Sequence, residues 1–267
     1  MKEFLPKEGA ASRCPHEIDP ESLQTDCDWL FACIQTLYRM DQRGRITQPS
    51  NANCGPAPIF CLGLTHHGNL WRVAERLPSA VARRAARLAG REQVLPPTPP
   101  PWPPCERRAA LRKVLGVSAS RHLDTEWVCF RMPSAQAMRS IPRRGSNSIS
   151  RLCTGTEIPS ESVFGWSARF AEATPDGSRV VALERDRIVS ACGLLAGDRS
   201  HFVVPWVETG AAWQRRGQAR RVLALWLAGV EQNGGIPIYM ADSRNRGAIA
   251  LASSLDLEAF AALNLWF

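Results

Sequence analysis

A turn rich in arginine and glycine, residues 209–219, contains residue types that could bind a phosphate-bearing ligand. It joins a predicted strand to the start of a predicted helix, where backbone N–H groups lack intrahelical partners and the helix dipole is positive. Gly217 and the small Ala219 would let a diphosphate approach these N–H groups closely. Four arginines add positive charge for phosphate oxygens, namely Arg215, Arg216, Arg220 and Arg221. The same pattern also fits an ordinary strand–helix turn with a solvated basic face.

The second half of the chain supplies the elements that must position this turn. Hydrophobic periodicity predicts strands over residues 126–132, 180–184, 187–195, 201–209, 236–240 and 259–267. It predicts helices over residues 160–171, 218–232 and 246–255, and a polar loop over 139–150. Strands and helices in this order imply one sheet with helices packed on it. Pro205 interrupts the strand before the turn, and a proline within a strand marks a bulge or an unpaired edge.

The first half of the chain predicts a smaller α+β region. Residues 1–19 are expected to be flexible, and residues 20–94 contain two helical segments and two hairpin signatures. A proline-rich linker follows over residues 95–104, and a connecting basic helix lies within residues 105–125. The second domain is predicted to span residues 126–267.

Composition limits the class of protein. The 267 residues are 45% hydrophobic and 22% charged, which excludes collagen-like and wholly disordered chains. The nine cysteines match neither a zinc spacing nor a disulfide framework, and the paired His66 and His67 have no ligand spacing to a carboxylate or cysteine. The longest apolar run, residues 222–230, is too short to cross a bilayer. We therefore predict a cytoplasmic protein with no metal and no membrane contact.

Three segments in fixed order resemble the GNAT superfamily of acyl-CoA-dependent N-acyltransferases. Gln214, Gly217 and Ala219 match its Q/R-x-x-G-x-G/A signature, and the strand over 236–240 stands where the family's fifth strand follows. Residues 245–257 resemble its N-x-x-A/S…L-G-F/L segment. The likeness is clear over residues 180–257 and looser from residue 126, and residues 55–78 look like an N-terminal extension of some GNAT proteins. The predicted fold class is α+β: a GNAT-like mixed, mostly antiparallel sheet flanked by helices, preceded by the smaller α+β region.

The resemblance implies that acetyl-CoA lies in a gap between the fourth and fifth strands. The residues that would hold its diphosphate are Gln214, Arg215, Arg216, Gly217, Gln218 and Ala219. The main chain of Val207 and Thr209 would bind the pantetheine arm like an added strand, and Asn245 would contact the same arm. Asn245 equally fits a helix N-cap.

The implied reaction is transfer of an acetyl group to a primary amine by direct attack in a ternary complex. Glu208, an acid on an otherwise apolar strand, is the predicted base, although a structural ion pair or a contact with the substrate amine also fits it. A backbone N–H near residues 207–209 would stabilise the oxyanion. The family's tyrosine acid is replaced by Ala252, and Asp256 stands at a usual glycine position. Ser253, its neighbour Ser254 or solvent would then protonate the leaving thiolate.

Two alternatives stay open. The missing tyrosine, and the absence of a second acid on the Glu208 strand, fit a catalytically weak or inactive CoA-binding regulatory protein. The net charge of +8 and the basic helices over 81–91 and 105–115 fit a nucleic-acid-associated protein. The lack of interleaved aromatic and basic residues argues against that partner. We expect the acceptor to be a small-molecule or peptide amine, while its identity, the acyl chain and homodimer formation stay open.

Overall fold

A computed structural model describes residues 23–51, 54–117, 124–132, 151–154, 179–185, 187–197 and 202–267. The predicted flexible N-terminus, the polar loop over 139–150 and the helix over 160–171 lie outside these residues. The elements of the first half are α1 (Asp26–Leu37), β1 (Tyr38–Met40), β2 (Ile46–Pro49), β3 (Phe60–Thr65), β4 (Asn69–Val73), α2 (Ser79–Ala89) and α3 (Arg108–Leu115). Those of the second half are β5 (Asp124–Arg131), β6 (Arg151–Thr154), β7 (Val180–Glu184), β8 (Arg187–Gly197), β9 (Phe202–Thr209), α4 (Gln218–Gln232), β10 (Ile236–Asp242), α5 (Arg246–Ser254) and β11 (Glu258–Trp266).

Among the described residues, nine strands form one sheet in the order β4-β3-β11-β5-β10-β9-β8-β7-β6. Every neighbouring pair is antiparallel except β9 and β10, which are parallel. Strands β1 and β2 form a separate hairpin. The predicted α+β fold class, a mixed and mostly antiparallel sheet flanked by helices, is confirmed.

Strands from the first half of the chain belong to this same sheet. β3 pairs along its whole length with β11, from Thr65 opposite Ala261 to Phe60 opposite Trp266. The sequence predicted a region that packs against the second domain, whereas the structure joins the two by strand hydrogen bonds. The division into domains at about residue 126 stays a prediction.

Helices cover both faces of the sheet. On one face, α1 buries Leu30 and Ile34 against a core shared with β9 and β11. On the other face, α4 and α5 pack over the centre of the sheet, where Leu223 and Leu227 are fully buried. Helices α2 and α3 cover β3 and β11 on that second face, around the buried Trp266. Each of these helices contributes an apolar stripe to a core and leaves its polar side outward.

A charged cluster fastens α1 to the sheet. One guanidinium nitrogen of Arg131 lies 2.9 Å from Asp26, whose side chain is 4% exposed, and another pairs with Glu258. The hydrogen bond from Arg131 holds the pKa of Glu258 below its usual value. His67 Nδ1 lies 3.2 Å from the other oxygen of Asp26. The buried carboxylate therefore has partners from β5 and from the turn between β3 and β4.

Seven cysteines in the described part of the chain are free thiols, namely Cys27, Cys33, Cys54, Cys61, Cys105, Cys129 and Cys192. No three His, Cys, Asp or Glu side chains of that part come together as a metal-binding group. No helix within the described ranges has the length and apolar character needed to cross a membrane.

Candidate functional site

The parallel strands β9 and β10 separate soon after they begin. Their pairing consists of Phe202 with Ile236 and Val203 with Pro237, although the strands continue to Thr209 and Asp242. Beyond these two pairs, within the described residues, β9 is bonded to β8 and β10 to β5. The result is a wedge-shaped gap near the middle of the sheet, with an inner strand edge on each side.

The backbone N–H and C=O groups of successive residues of β9 point alternately toward β8 and toward this gap. The N–H of Gly210 donates to the carbonyl of Val189 on β8 at 3.0 Å. In an antiparallel pair, bonded and non-bonded residues alternate, so the main chain of Glu208 faces β8 while that of Val207 and Thr209 faces the gap. Pro205 is two residues before Val207, so its main chain also faces the gap. Its missing N–H therefore removes no hydrogen bond between β8 and β9.

The turn after β9 has a defined shape. It begins with a short 3₁₀ helix, Ala211–Trp213, and the indole N–H of Trp213 donates to Glu184 at 2.7 Å. The side-chain amide of Gln214 donates to the carbonyl of Thr209 at 3.4 Å. Arg215 and Gly217 both have left-handed backbones, with φ of 60° and 77°. Turns of this type bring successive N–H groups to one concave side, where they can bind an anion.

This concave side has unsatisfied donors. The N–H groups of Arg215, Arg216, Gly217 and Ala219 have no acceptor among the described residues. A β-carbon placed on Gly217 would touch none of those residues within 4 Å, so the approach to the turn is open. These donors lie at the positive end of the 15-residue helix α4.

The four arginines of the turn and the start of α4 differ in their surroundings. Arg215 and Arg216 are exposed and lie next to the unsatisfied N–H groups. Arg220 Nε donates to the carbonyl of Ser254 at the end of α5, and Arg221 donates to the side chain of Gln218. Gln218 itself is 2% exposed, so its side chain faces inward and only its backbone borders the turn.

The side chain of Glu208 lies on the face of the sheet opposite to the side chains of its neighbours Val207 and Thr209. It is half-buried and pairs across the ladder with Ala191, which packs with Trp206 on the face away from α4. Val207 packs instead with the core under α4. Ser190 Oγ donates to the Glu208 carbonyl at 3.1 Å, which fixes the end of the strand.

The residues of α5 have mainly structural contacts. Asn245 is the N-cap, and its side-chain oxygen accepts from the N–H of Ala248 at 3.1 Å. Ala252 is fully buried under the helix, and Ser253 is exposed and donates its hydroxyl to the carbonyl of Ile249 at 3.1 Å. The structure therefore places Ser253 away from the buried side of α5.

Tyr239 carries a hydroxyl near the candidate site to which the sequence analysis assigned no role. It lies on β10 just beyond the last β9 pair, is 5% exposed, and faces α5, with its hydroxyl 3.5 Å from the carbonyl of Ala248. Burial raises the pKa of this phenol above its ordinary value, so the hydroxyl keeps its proton. The signal available in the sequence was a tyrosine inside the predicted fifth strand, in a chain with only two tyrosines.

The sheet order, the separated parallel pair and the glycine turn that starts α4 define a GNAT-like fold. No protein-family model matches the sequence, and no curated protein does. The chain is also similar to solved structures at low sequence identity. A protein of the GNAT family from Novosphingobium aromaticivorans has 16% identity and a TM-score of 0.38, with 53% of this chain and 63% of that one covered. This chain thus spans less than two thirds of that protein.

Two further structures are matched over more of their length. An acetyltransferase of the GNAT family from Colwellia psychrerythraea has 8% identity and a TM-score of 0.44, covering 74% of this chain and 76% of that one. A GCN5-related N-acetyltransferase-like protein from Streptococcus suis has 14% identity and a TM-score of 0.42, covering 79% and 85%.

Proposed function

We propose that this chain is an N-acetyltransferase that transfers an acetyl group from acetyl-CoA to a primary amine of a small molecule or peptide. One observation carries the proposal: an open inner strand edge ends directly at a turn with four unsatisfied N–H donors. Pantetheine contains two amide groups and needs a strand-like edge, whereas a diphosphate needs converging donors and positive charge. The two features stand in the order that a CoA molecule requires.

The geometry supports the following proposed roles. Gly217, Gln218 and Ala219 would bind the diphosphate through their backbone, with Arg215 and Arg216 neutralising its charge. Gln214 would hold the turn in shape through its bond to Thr209. The main chain of Val207 and Thr209 would bind the pantetheine amides. Asn245, as N-cap, would fix the start of α5 beside that arm.

Proton transfer needs an acceptor for the amine proton and a donor for the leaving thiolate. Glu208 would accept the first proton at its carboxylate, directly or through water, from the face opposite α4. Ser253 was the predicted donor, but its hydroxyl is engaged by Ile249. The hydroxyl of Tyr239 is likewise engaged, by the carbonyl of Ala248 at 3.5 Å. Solvent would then protonate the thiolate, which has a tolerable leaving-group pKa of about 8.5 even unaided.

Calorimetry and thermal unfolding with acetyl-CoA test the proposal. At a ligand concentration of 100 Kd, binding should stabilise the fold by roughly 2.7 kcal/mol. Gly217→Asn should lower the affinity, because asparagine tolerates a positive φ but its side chain blocks the approach to the backbone. Gly229→Ala is the matched control: it adds a methyl group to the same helix at a position with open space. No heat and no rise in Tm with saturating acetyl-CoA would contradict the proposal.

A CoA-binding protein without turnover is the second candidate. It is favoured by the fully buried Ala252 at the family's tyrosine position and by the engaged hydroxyl of Ser253. Release of free thiol from acetyl-CoA, measured with a panel of amines, distinguishes the two: binding without amine-dependent release indicates the second.

A further inference from the structure

Most of the net positive charge of the chain lies in one short segment. Residues 79–117 contain eight basic and two acidic residues, a net charge of +6 out of +8 for the whole chain. One of the two acids, Glu92, is buried and accepts the backbone N–H groups of Glu106 and Arg107. The charge is therefore concentrated on α2, α3 and the residues next to them.

Four arginines of this segment are exposed and have no partner within the described ranges: Arg83, Arg84, Arg87 and Arg91. Helix α2 has no acidic residue that could pair with them. On α3 the situation differs, because Arg108 lies 3.1 Å from Glu126. Like charges three or four residues apart on a helix repel each other, so this unpaired set destabilises α2 until an anion neutralises it.

The packing of α2 fixes where these side chains stand. Ala85 and Ala89 are fully buried against the sheet, so the helix cannot rotate. Arg84, Arg87 and Arg91 then share one face over about 10 Å, given 1.5 Å per residue. They line a groove of about 190 Å³ whose apolar floor is formed by Leu88 and by Val114 of α3.

Guanidinium groups at this spacing favour phosphate. Each presents planar donors that match phosphate oxygens in pairs, and a row of them matches an anion with repeated phosphates. Among the described residues, the exposed large apolar side chains are Val94 and Leu225. A protein partner would require aromatic or apolar anchors, and a membrane-surface helix would require an exposed apolar face. The apolar face of α2 is buried.

We propose that the face formed by Arg83, Arg84, Arg87 and Arg91 binds the phosphodiester backbone of a nucleic-acid duplex without reading its bases. The lack of interleaved aromatic residues argues against single strands, whose bases stack on aromatic rings. A duplex contacted through its phosphates needs no such stacking. β4, next to α2, is five strands away from β9, which is about 24 Å at ~4.8 Å per strand. The surface is therefore separate from the candidate acetyl-CoA site.

The test is fluorescence anisotropy with a labelled 24-base-pair DNA duplex between 50 and 200 mM KCl, without acetyl-CoA. The double variant Arg84→Gln/Arg87→Gln should weaken binding by on the order of 10-fold per arginine at low salt, and should reduce the slope of log K against log salt by about 1.8. Two unrelated duplex sequences should be affected equally. Because acetyl-CoA is absent, the result does not depend on the proposed function.

The matched control is Arg39→Gln/Arg43→Gln, which removes the same charge from exposed positions on the β1–β2 hairpin. It should leave the salt slope nearly unchanged. Neither variant should melt below the parent, and Arg84→Gln/Arg87→Gln should melt at or slightly above the parent Tm because it relieves repulsion along α2. Equal loss in both variants, or no duplex binding at 50 mM KCl, overturns the proposal. Tighter binding to poly-glutamate or to phosphatidylserine vesicles than to the duplex overturns it in favour of an acidic protein or a membrane surface.

Discussion

Glu208 is the last residue of β9 whose side chain lies on the sheet face away from α4. Glu208→Gln keeps the shape of the side chain but removes the proton acceptor. We expect kcat to fall about 10²–10⁴-fold, with an unchanged Kd for acetyl-CoA and partial recovery at high pH, where the amine deprotonates by itself. Steady-state kinetics with an acceptor from the amine panel, together with calorimetry, measure this.

Glu75→Gln is the control for Glu208, since it removes a carboxylate that is 58% exposed and lies in the first half of the chain. Its kinetics should match the parent. Full activity of Glu208→Gln at neutral pH would assign Glu208 a structural role.

At the residue scale, the sequence revealed backbone sites better than side-chain chemistry. The glycine turn was recognisable because only certain residues fit a positive φ before a helix, as Gly217 shows. The sequence did not reveal the hydrogen bond of the Ser253 hydroxyl or the position of Tyr239, because both depend on how α5 packs on β10. Local patterns do not specify that packing.

The close contact between α1 and β3 depends on a glycine, Gly63, which has no side chain. A β-carbon on Gly63 would overlap the methyl groups of Leu30, which is fully buried. Gly63→Ala should therefore lower the free energy of unfolding by about 1–3 kcal/mol by forcing the helix away from the sheet. Urea unfolding measures the change.

The compensating change is Leu30→Ala, which by itself costs about 2–5 kcal/mol through the cavity it leaves. In the double variant the new methyl group partly fills that cavity, so its cost should be well below the sum of the single costs. Simple additivity would mean that the two residues do not limit each other's packing.

At the element scale, most strands and helices were predictable and most pairings were not. The helix over 218–232 matches α4 in full, because its apolar stripe is uninterrupted. The strand predicted over 187–195 continues to Gly197, since a bulge at Leu195 lets β8 extend beyond the apolar run. The pairing of β3 with β11 joins residues about 200 positions apart, and no local pattern encodes such a contact.

At the scale of the whole molecule, the ion pairs of Arg131 link the two halves of the chain in addition to the β3–β11 strand pairing. Its guanidinium links Asp26 of α1 to Glu258 of β11, from a position on β5. Arg131→Met leaves the carboxylate of Asp26 buried without its main counter-charge, so we expect a loss of about 3 kcal/mol in unfolding free energy. Equilibrium denaturation of the full chain at pH 7 measures it.

Asp26→Asn added to Arg131→Met should restore part of that stability, because the double variant has no unpaired buried charge. If the double variant is less stable than Arg131→Met alone, the Asp26–Arg131 pair does not act as a unit. His67, 54% exposed, is a third partner whose substitution should matter less.

The gap between β9 and β10 also affects how fast individual amides exchange with solvent deuterium. Val207 and Thr209 lie in the sixth of nine strands, a place where slow exchange is the norm, yet their N–H groups point into the gap. Mass-spectrometric or NMR exchange should show fast labelling at Val207 and Thr209 and slow labelling at Glu208 between them. Saturating acetyl-CoA should abolish this alternation, so that β9 becomes uniformly protected like any interior strand.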